Sequence, residues 1–227
     1  MADTDPSRPF SSRPVTVFGG SGFLGGLVVQ ALARRNYRVR VAVRRPDLAG
    51  HLQTYATVGQ VHSIQANLRY PDSVTRAVAG AGVVVNLVGI LQETGRQSFD
   101  AVQAEGAGLV ARAAAAEGAR VVHVSALGAD ENSPSAYARS KAAGEAAVLA
   151  YPDAVVFRPS LLFGPGDSFF NRFAAIARML PVLPLAGAQT RFQPVAASDV
   201  AEAIARAVEG TVEGGRVYEC GGPEIHT

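Results

Sequence analysis

The stretch Val15 to Gly26, VTVFGGSGFLGG, constrains this chain more than any other. Val15, Thr16, Val17 and Phe18 are β-branched or aromatic, the short apolar run of a strand buried on both faces, and Gly19 stops it. Gly20, Ser21 and Gly22 make a turn, after which Phe23, Leu24, Leu27, Val28, Ala31 and Leu32 recur at helical spacing. A helix that begins directly behind such a turn presents unpaired backbone N–H groups and the positive end of its dipole, which favours a phosphate. Two glycine registers overlap: Gly20, Gly22 and Gly25 fit GxGxxG, while Gly19, Gly22 and Gly25 fit the wider GxxGxxG. With 24 glycines in 227 residues the spacing alone is weak. The order strand, glycine turn, helix makes it a dinucleotide site, in which glycine admits a pyrophosphate and lets helix and strand pack closely.

A second strand reads from Tyr37 to Arg44, YRVRVAVR. In NAD-binding folds an acidic residue at the end of this strand, roughly 20 residues past the glycines, binds the ribose hydroxyls. Here Arg44 and Arg45 stand in that place, and the nearest acid, Asp47, lies beyond Pro46. A guanidinium pairs with a 2′-phosphate, so NADP(H) is expected in preference to NAD(H), which also fits. The same two arginines also suit an ordinary charged strand end.

Val61 to Ala66 reads as a third strand, Asp72 to Ala79 as a short helix, and Gly82 to Val88 as a strongly apolar fourth strand. In a doubly wound sheet ligands lie across the carboxyl ends of the strands. Asn67 and Leu68 are therefore expected beside the adenine, and Leu87, Val88 and Gly89 along the groove toward the nicotinamide ribose, although Asn67 and Gly89 also suit plain turns. A long alanine-rich helix is expected from Phe99 to Glu117, ended by Gly118, and a fifth strand from Val121 to Ser125.

The next helix holds Tyr137, Ala138, Arg139, Ser140 and Lys141. Tyr137 and Lys141 are four apart and share a face. An ammonium beside a phenol favours the phenolate, so the tyrosine pKa is expected to fall below its usual value of about 10, into a range useful for proton transfer. Lys141 is the one lysine among 21 basic residues. A partly exposed helical pair would show the same spacing.

On these residues the chain resembles the short-chain dehydrogenases/reductases of the extended or atypical kind. The likeness runs from Val15 to about Pro223 and includes RPSLLFGP, Arg158 to Pro165, which is similar to the family's segment after the sixth strand. FGGSGFLG, the paired arginines, NLVGIL from Asn86, FDAVQAEG from Phe99 and HVSALGAD from His123 are similar to one branch, the nucleotide-binding accessory subunit of respiratory complex I and its bacterial relatives. The resemblance implies an α/β, doubly wound Rossmann fold with a mostly parallel sheet and a reduced C-terminal substrate lobe. It implies NADPH binding at Gly19, Ser21, Gly22, Phe23, Leu24 and Gly25 without an established turnover, and complex I or quinone-biosynthesis proteins as partners. The alternative is an active NAD(P)H-dependent oxidoreductase or epimerase. In that case Tyr137 supplies a proton, Lys141 binds ribose, and a serine or threonine just after the fifth strand holds the substrate carbonyl. Here Ser125 stands at the strand's end with Ala126 and Leu127 after it, so the triad is complete only if Ser125 points into the site.

Composition excludes other classes. Cys220 is the single cysteine, which rules out an internal disulfide, and His51, His62, His123 and His226 show no ligand spacing, so no metal is expected. A net charge of +2 with scattered arginines argues against a nucleic-acid partner. No run approaches the roughly 20 apolar residues of a transmembrane segment. Residues 1–13 read as a disordered leader on a cytoplasmic protein, peripheral to the inner membrane if its partner is complex I. Residues 14–165 read as the Rossmann domain and 166–227 as the reduced lobe completing the same fold. That lobe is expected to hold an amphipathic helix from Asp167 to Leu180 and loop and strand from Leu183 to Val195. A helix capped by Ser198 or Asp199 and the strand VYECGG follow, without the further helices such relatives carry.

Overall fold

All seven strands of the main sheet run parallel, so every connection crosses a face of the sheet and both faces are covered. The computed structural model describes residues 13–179 and 189–226. The expected leader (except Arg13), the helix end at Leu180 and the start of the loop at Leu183 lie outside the described residues.

The strands are β1 (Val15–Phe18), β2 (Val39–Val43), β3 (Val61–Gln65), β4 (Val83–Asn86), β5 (Arg120–Val124), β6 (Val155–Pro159) and, last in the chain, β9 (Arg216–Cys220). Their order is β3-β2-β1-β4-β5-β6-β9. Between them run α1 (Phe23–Arg34), α2 (Pro71–Val78), α3 (Glu105–Ala116), α4 (Ala136–Leu149), α5 (Phe169–Met179) and α6 (Ala197–Val208). A separate two-stranded parallel ladder joins β7 (Leu162–Phe163) to β8 (Val195–Ala196).

Alternation along the strands divides the core in two. On one face Val28, Val29 and Leu32 of α1 meet Val200, Ile204 and Ala205 of α6 over Val41, Val85, Val122, Val155 and Phe157. On the other, Val74 and Val78 of α2 and Val110, Ala111 and Ala114 of α3 pack over Phe18, Val84, Val121 and Val156. Residues past α5 thus supply both the strand beside β6 and the helix beside α1. Arg35, just past α1, ties the two helices together through Glu202 (2.5 Å) and Glu209 (3.1 Å).

Three local features differ from the sequence reading. The expected helix from Phe99 begins as a π-helical turn, Asp100–Ala104, before α3. Gly144 of α4 makes room for it: a Cβ there would lie 2.2 Å from the Gln103 carbonyl oxygen. Pro46–Tyr55 forms 3₁₀ turns with only Ala49 and Leu52 buried, too few for an apolar period to announce them. Neither Ser198 nor Asp199 caps α6; β8 leads straight into it, Ala196 is the N-cap, and Ser198 Oγ donates to Asp199.

Two glycines inside helices should respond oppositely to alanine. Gly144→Ala forces α4 off the π turn and should cost about 1–3 kcal/mol or more. Gly26→Ala meets only Leu52 and Tyr55 side chains at 3.9 Å and should be neutral or stabilising by up to about 1 kcal/mol. Urea denaturation of the two variants tests the contrast.

Candidate functional site

Strand order reverses at β1, whose neighbours are β2 and β4, and a crevice opens at the carboxyl ends of these strands. It holds a smaller cleft of about 270 Å³ and a larger cavity of about 1120 Å³, which share Leu87, Gly89 and Ile90 as a common wall.

The glycine turn sits at the crevice in the wider register. Gly19 has φ +77° and lines the small cleft with Ser21 and Gly22, and Gly22 is the N-cap of α1. A Cβ on Gly25 would lie 2.3 Å from the Gly19 carbonyl oxygen, so only glycine lets α1 start this close to the turn. Gly20 faces the other way, onto Val41 and Val29. Phe23 and Leu24 line the large cavity. This cradle, with the open N-terminus of α1 above it, fits a dinucleotide pyrophosphate.

Asn67, Leu68, Leu87, Val88 and Gly89 all line the small cleft. Asn67 is also a turn residue, its Oδ1 accepting from the Arg69 N–H at 3.1 Å. The two arginines separate. Arg44 lines the cleft and donates to Gln97 Oε1 across it, whereas Arg45 is exposed, pairs with Asp47 at 3.1 Å and lies outside the lining. Arg69, which the sequence reading passed over, lines the cleft in its place.

Ser125, Tyr137 and Lys141 line one wall of the large cavity. Ser125 continues β5, its N–H donating to Phe157 at 2.8 Å, and its side chain is 4% exposed with no hydrogen-bond partner for Oγ among the described residues. Tyr137 stands in the first turn of α4, capped by Ser135, with its ring edge-on to Phe99 at 5.7 Å. Lys141 Nζ donates to the Val124 carbonyl at 3.3 Å, and a Cβ on Gly89 would lie 3.2 Å from it. That bond uses one of the ammonium's three protons, on the wall where Gly89 meets Lys141. Gln103 in the π turn braces this wall: Oε1 accepts from Ile90 N (3.3 Å), and Nε2 donates to Ser140 Oγ (3.0 Å), which donates to the Tyr137 carbonyl (2.8 Å).

Electrostatics correct one expectation. Burial raises the Tyr137 pKa above its ordinary value, while Lys141 Nζ donates to Val124 and lies 6.0 Å from the phenol ring centroid. Burial also pulls Lys141 down to about 8, opposed by the charge of Glu145 one turn on. Glu145 is itself buried and held by Arg158 at 2.9 and 2.7 Å.

A parallel doubly wound sheet with a glycine-turn cradle at its switch point defines a dinucleotide-binding protein of the Rossmann type. The chain belongs to the NAD dependent epimerase/dehydratase family, whose profile matches residues 15–221. It is 39% identical over 218 residues to NADH dehydrogenase (ubiquinone) 1 alpha subcomplex subunit 9, mitochondrial, of Arabidopsis thaliana, covering 93% of this chain and 54% of that protein. It is 36% identical over 188 residues to a ceramide reductase of Caulobacter vibrioides, covering 82% and 58%. The chain thus spans little more than half the length of these curated relatives. In fold it is similar to a crystal structure of a putative epimerase from Burkholderia cenocepacia, with a TM-score of 0.77, 23% identity, and 97% and 78% of the two chains covered. Among the described residues no helix is long and apolar enough to cross a membrane.

The Lys141 environment sets a pH dependence. The folded-state pKa of about 8 lies below the unfolded value near 10.5, so the unfolded chain binds the extra proton between these limits. Stability should therefore rise from pH 8 toward 10.5, recovering roughly 3 kcal/mol for a shift of this size. Lys141→Met should flatten that rise in urea melts at stepped pH.

Proposed function

We propose that the chain binds NADP(H) and acts as a nucleotide-loaded accessory subunit, peripheral to the membrane, of a complex I-type or quinone-metabolising assembly. One contrast carries this reading: the glycine turn, Arg44, Asn67 and Gly89 gather on one cleft that suits a nucleotide, whereas at the reacting end burial raises the Tyr137 pKa, away from the range useful for proton transfer. The identity to complex I subunits supports it, at 39% with the plant protein and 37% with the rat protein, each over more than nine-tenths of this chain. A bound nucleotide stabilises whichever fold holds it, so the cofactor can serve assembly without turnover. The choice of NADP(H) rests on Arg44, and Arg69 adds a second cation on the cleft wall.

The binding reading predicts a division among the arginines. Arg44→Ala and Arg69→Ala should each weaken NADPH about 10- to 100-fold and NADH little, as expected for losing a charge-assisted bond to a 2′-phosphate. Arg45→Ala should leave both affinities near the unmutated values. Calorimetric titration with the two nucleotides decides it, and equal losses for NADH would refute the phosphate role. Deletion of the gene should lower complex I assembly or quinone content; unchanged levels of both would remove the accessory role.

A second reading, an active oxidoreductase, is favoured by the convergence of Ser125, Tyr137 and Lys141 on one cavity. A bound nicotinamide supplies hydride chemistry. Ser125 would hold a carbonyl oxygen, Tyr137 would hold the proton that oxygen takes up, and Lys141 would bind ribose and offset the burial of the phenol. Tyr137→Phe should then abolish NADPH-dependent carbonyl reduction, at least about 100-fold in kcat, with nucleotide affinity nearly intact. Absence of turnover in the unmutated protein across ketone, quinone and sugar-nucleotide substrates would reject this reading and leave the first standing.

A further inference from the structure

Two buried side-chain atoms have no hydrogen-bond partner among the described residues, His123 Nε2 and Ser125 Oγ. They stand two residues apart along β5 and its continuation, so they share one face of the sheet, the face toward α3 and α4. Unmatched buried polar atoms are rare enough in native proteins that each calls for a physical reason. Two such atoms on adjacent same-face positions call for a common one.

The surroundings fix the protonation of His123. Asn86 is its partner across the β4–β5 ladder. Asn86 Oδ1 accepts from the Val88 N–H at 3.2 Å, which settles which end of the amide faces the ring: Nδ2, at 3.3 Å from His123 Nδ1. An amide NH₂ can only donate, so Nδ1 must accept, and the ring proton resides on Nε2. The orphaned nitrogen is therefore a donor. Its side chain is 1% exposed, and burial together with the Lys141 charge depresses its pKa to about 3, so the ring stays neutral.

Two positions along the same face stands the unmatched Ser125 hydroxyl, and the Lys141 ammonium, whose charge acts on the ring, is anchored on the carbonyl of Val124, the residue between His123 and Ser125. A water enclosed among three polar groups is a stable arrangement. In such an arrangement here the water oxygen would accept from His123 Nε2–H and from Lys141, and one of its protons would go to Ser125 Oγ. With a lone pair so occupied, the serine keeps its own proton for an acceptor in the large cavity.

We infer that His123 is a positioning residue: through one enclosed water, its Nε2–H sets the Ser125 hydroxyl as a donor aimed into the cavity. This rests on the reading in which Ser125, Tyr137 and Lys141 form the reacting end, and it explains how Ser125 is oriented without a direct side-chain partner.

The test uses the full chain labelled with ¹⁵N-histidine and saturated with NADPH. Two-bond proton–nitrogen spectra distinguish protonated from unprotonated ring nitrogens, and His123→Phe identifies which of the four histidine patterns is its own. The expected result is a protonated Nε2 and an unprotonated Nδ1 that do not titrate between about pH 5.5 and 8, where an ordinary histidine would. Ser125→Ala should shift the Nε2 resonance while leaving the patterns of His51, His62 and His226 in place. A proton on Nδ1, titration in that range, or an Nε2 resonance indifferent to Ser125→Ala would overturn the inference. Failure of the oxidoreductase reading shows differently, as absence of carbonyl reduction with the ring signals still as described.

Discussion

The close approach of α1 to the glycine turn is the constraint on which the rest depends. With 2.3 Å between the Gly19 oxygen and the place a Gly25 Cβ would take, the first turn of α1 can lie against the end of β1 only without side chains. That contact puts the helix N-terminus over the crevice and also sets the depth at which Val28, Val29 and Leu32 enter the core. Phosphate recognition and packing are therefore one geometric solution.

The reacting end shows the opposite economy. Lys141 is buried and donates to the Val124 carbonyl, while Glu145, the one acid on its helix, is committed to Arg158. Desolvation outweighs the attraction of that acid, and the ammonium is held in a place that disfavours it. Functional groups are commonly kept this way, with the fold bearing the strain of a poorly solvated charge so that a ligand can relieve it.

Much of the fold was legible because parallel strands buried on both faces leave continuous apolar runs: β1 and, within Gly82 to Val88, β4 were recognisable from that alone, while β2 showed as alternation within Tyr37 to Arg44. Arg44 and Arg45 show where a linear reading stops: successive residues leaving a strand point to opposite sides, so only one of them can face the cleft. Arg69 reaches the cleft through the pairing of β2 with β3, a contact invisible to spacing. The i, i+4 spacing placed Tyr137 and Lys141 on one face but could not show that the lysine turns toward Val124. Periodicity likewise ran through the π turn at Asp100–Ala104, whose cause, Gly144, lies on another helix. HVSALGAD from His123 marked a family likeness but not the state of the ring, since its tautomer is decided by Asn86 across the ladder.

The pairing of α1 with α6 bears on how the chain comes into being. Synthesis delivers α1 early, yet the apolar face beside it is closed by Val200, Ile204 and Ala205, and Arg35 finds its carboxylates only at Glu202 and Glu209. A nascent chain leaving the ribosome therefore displays its phosphate-binding helix with one flank bare until α6 has emerged. The packing around the nucleotide site is thus completed only by residues made about 170 positions after its motif, a contact of high sequence separation.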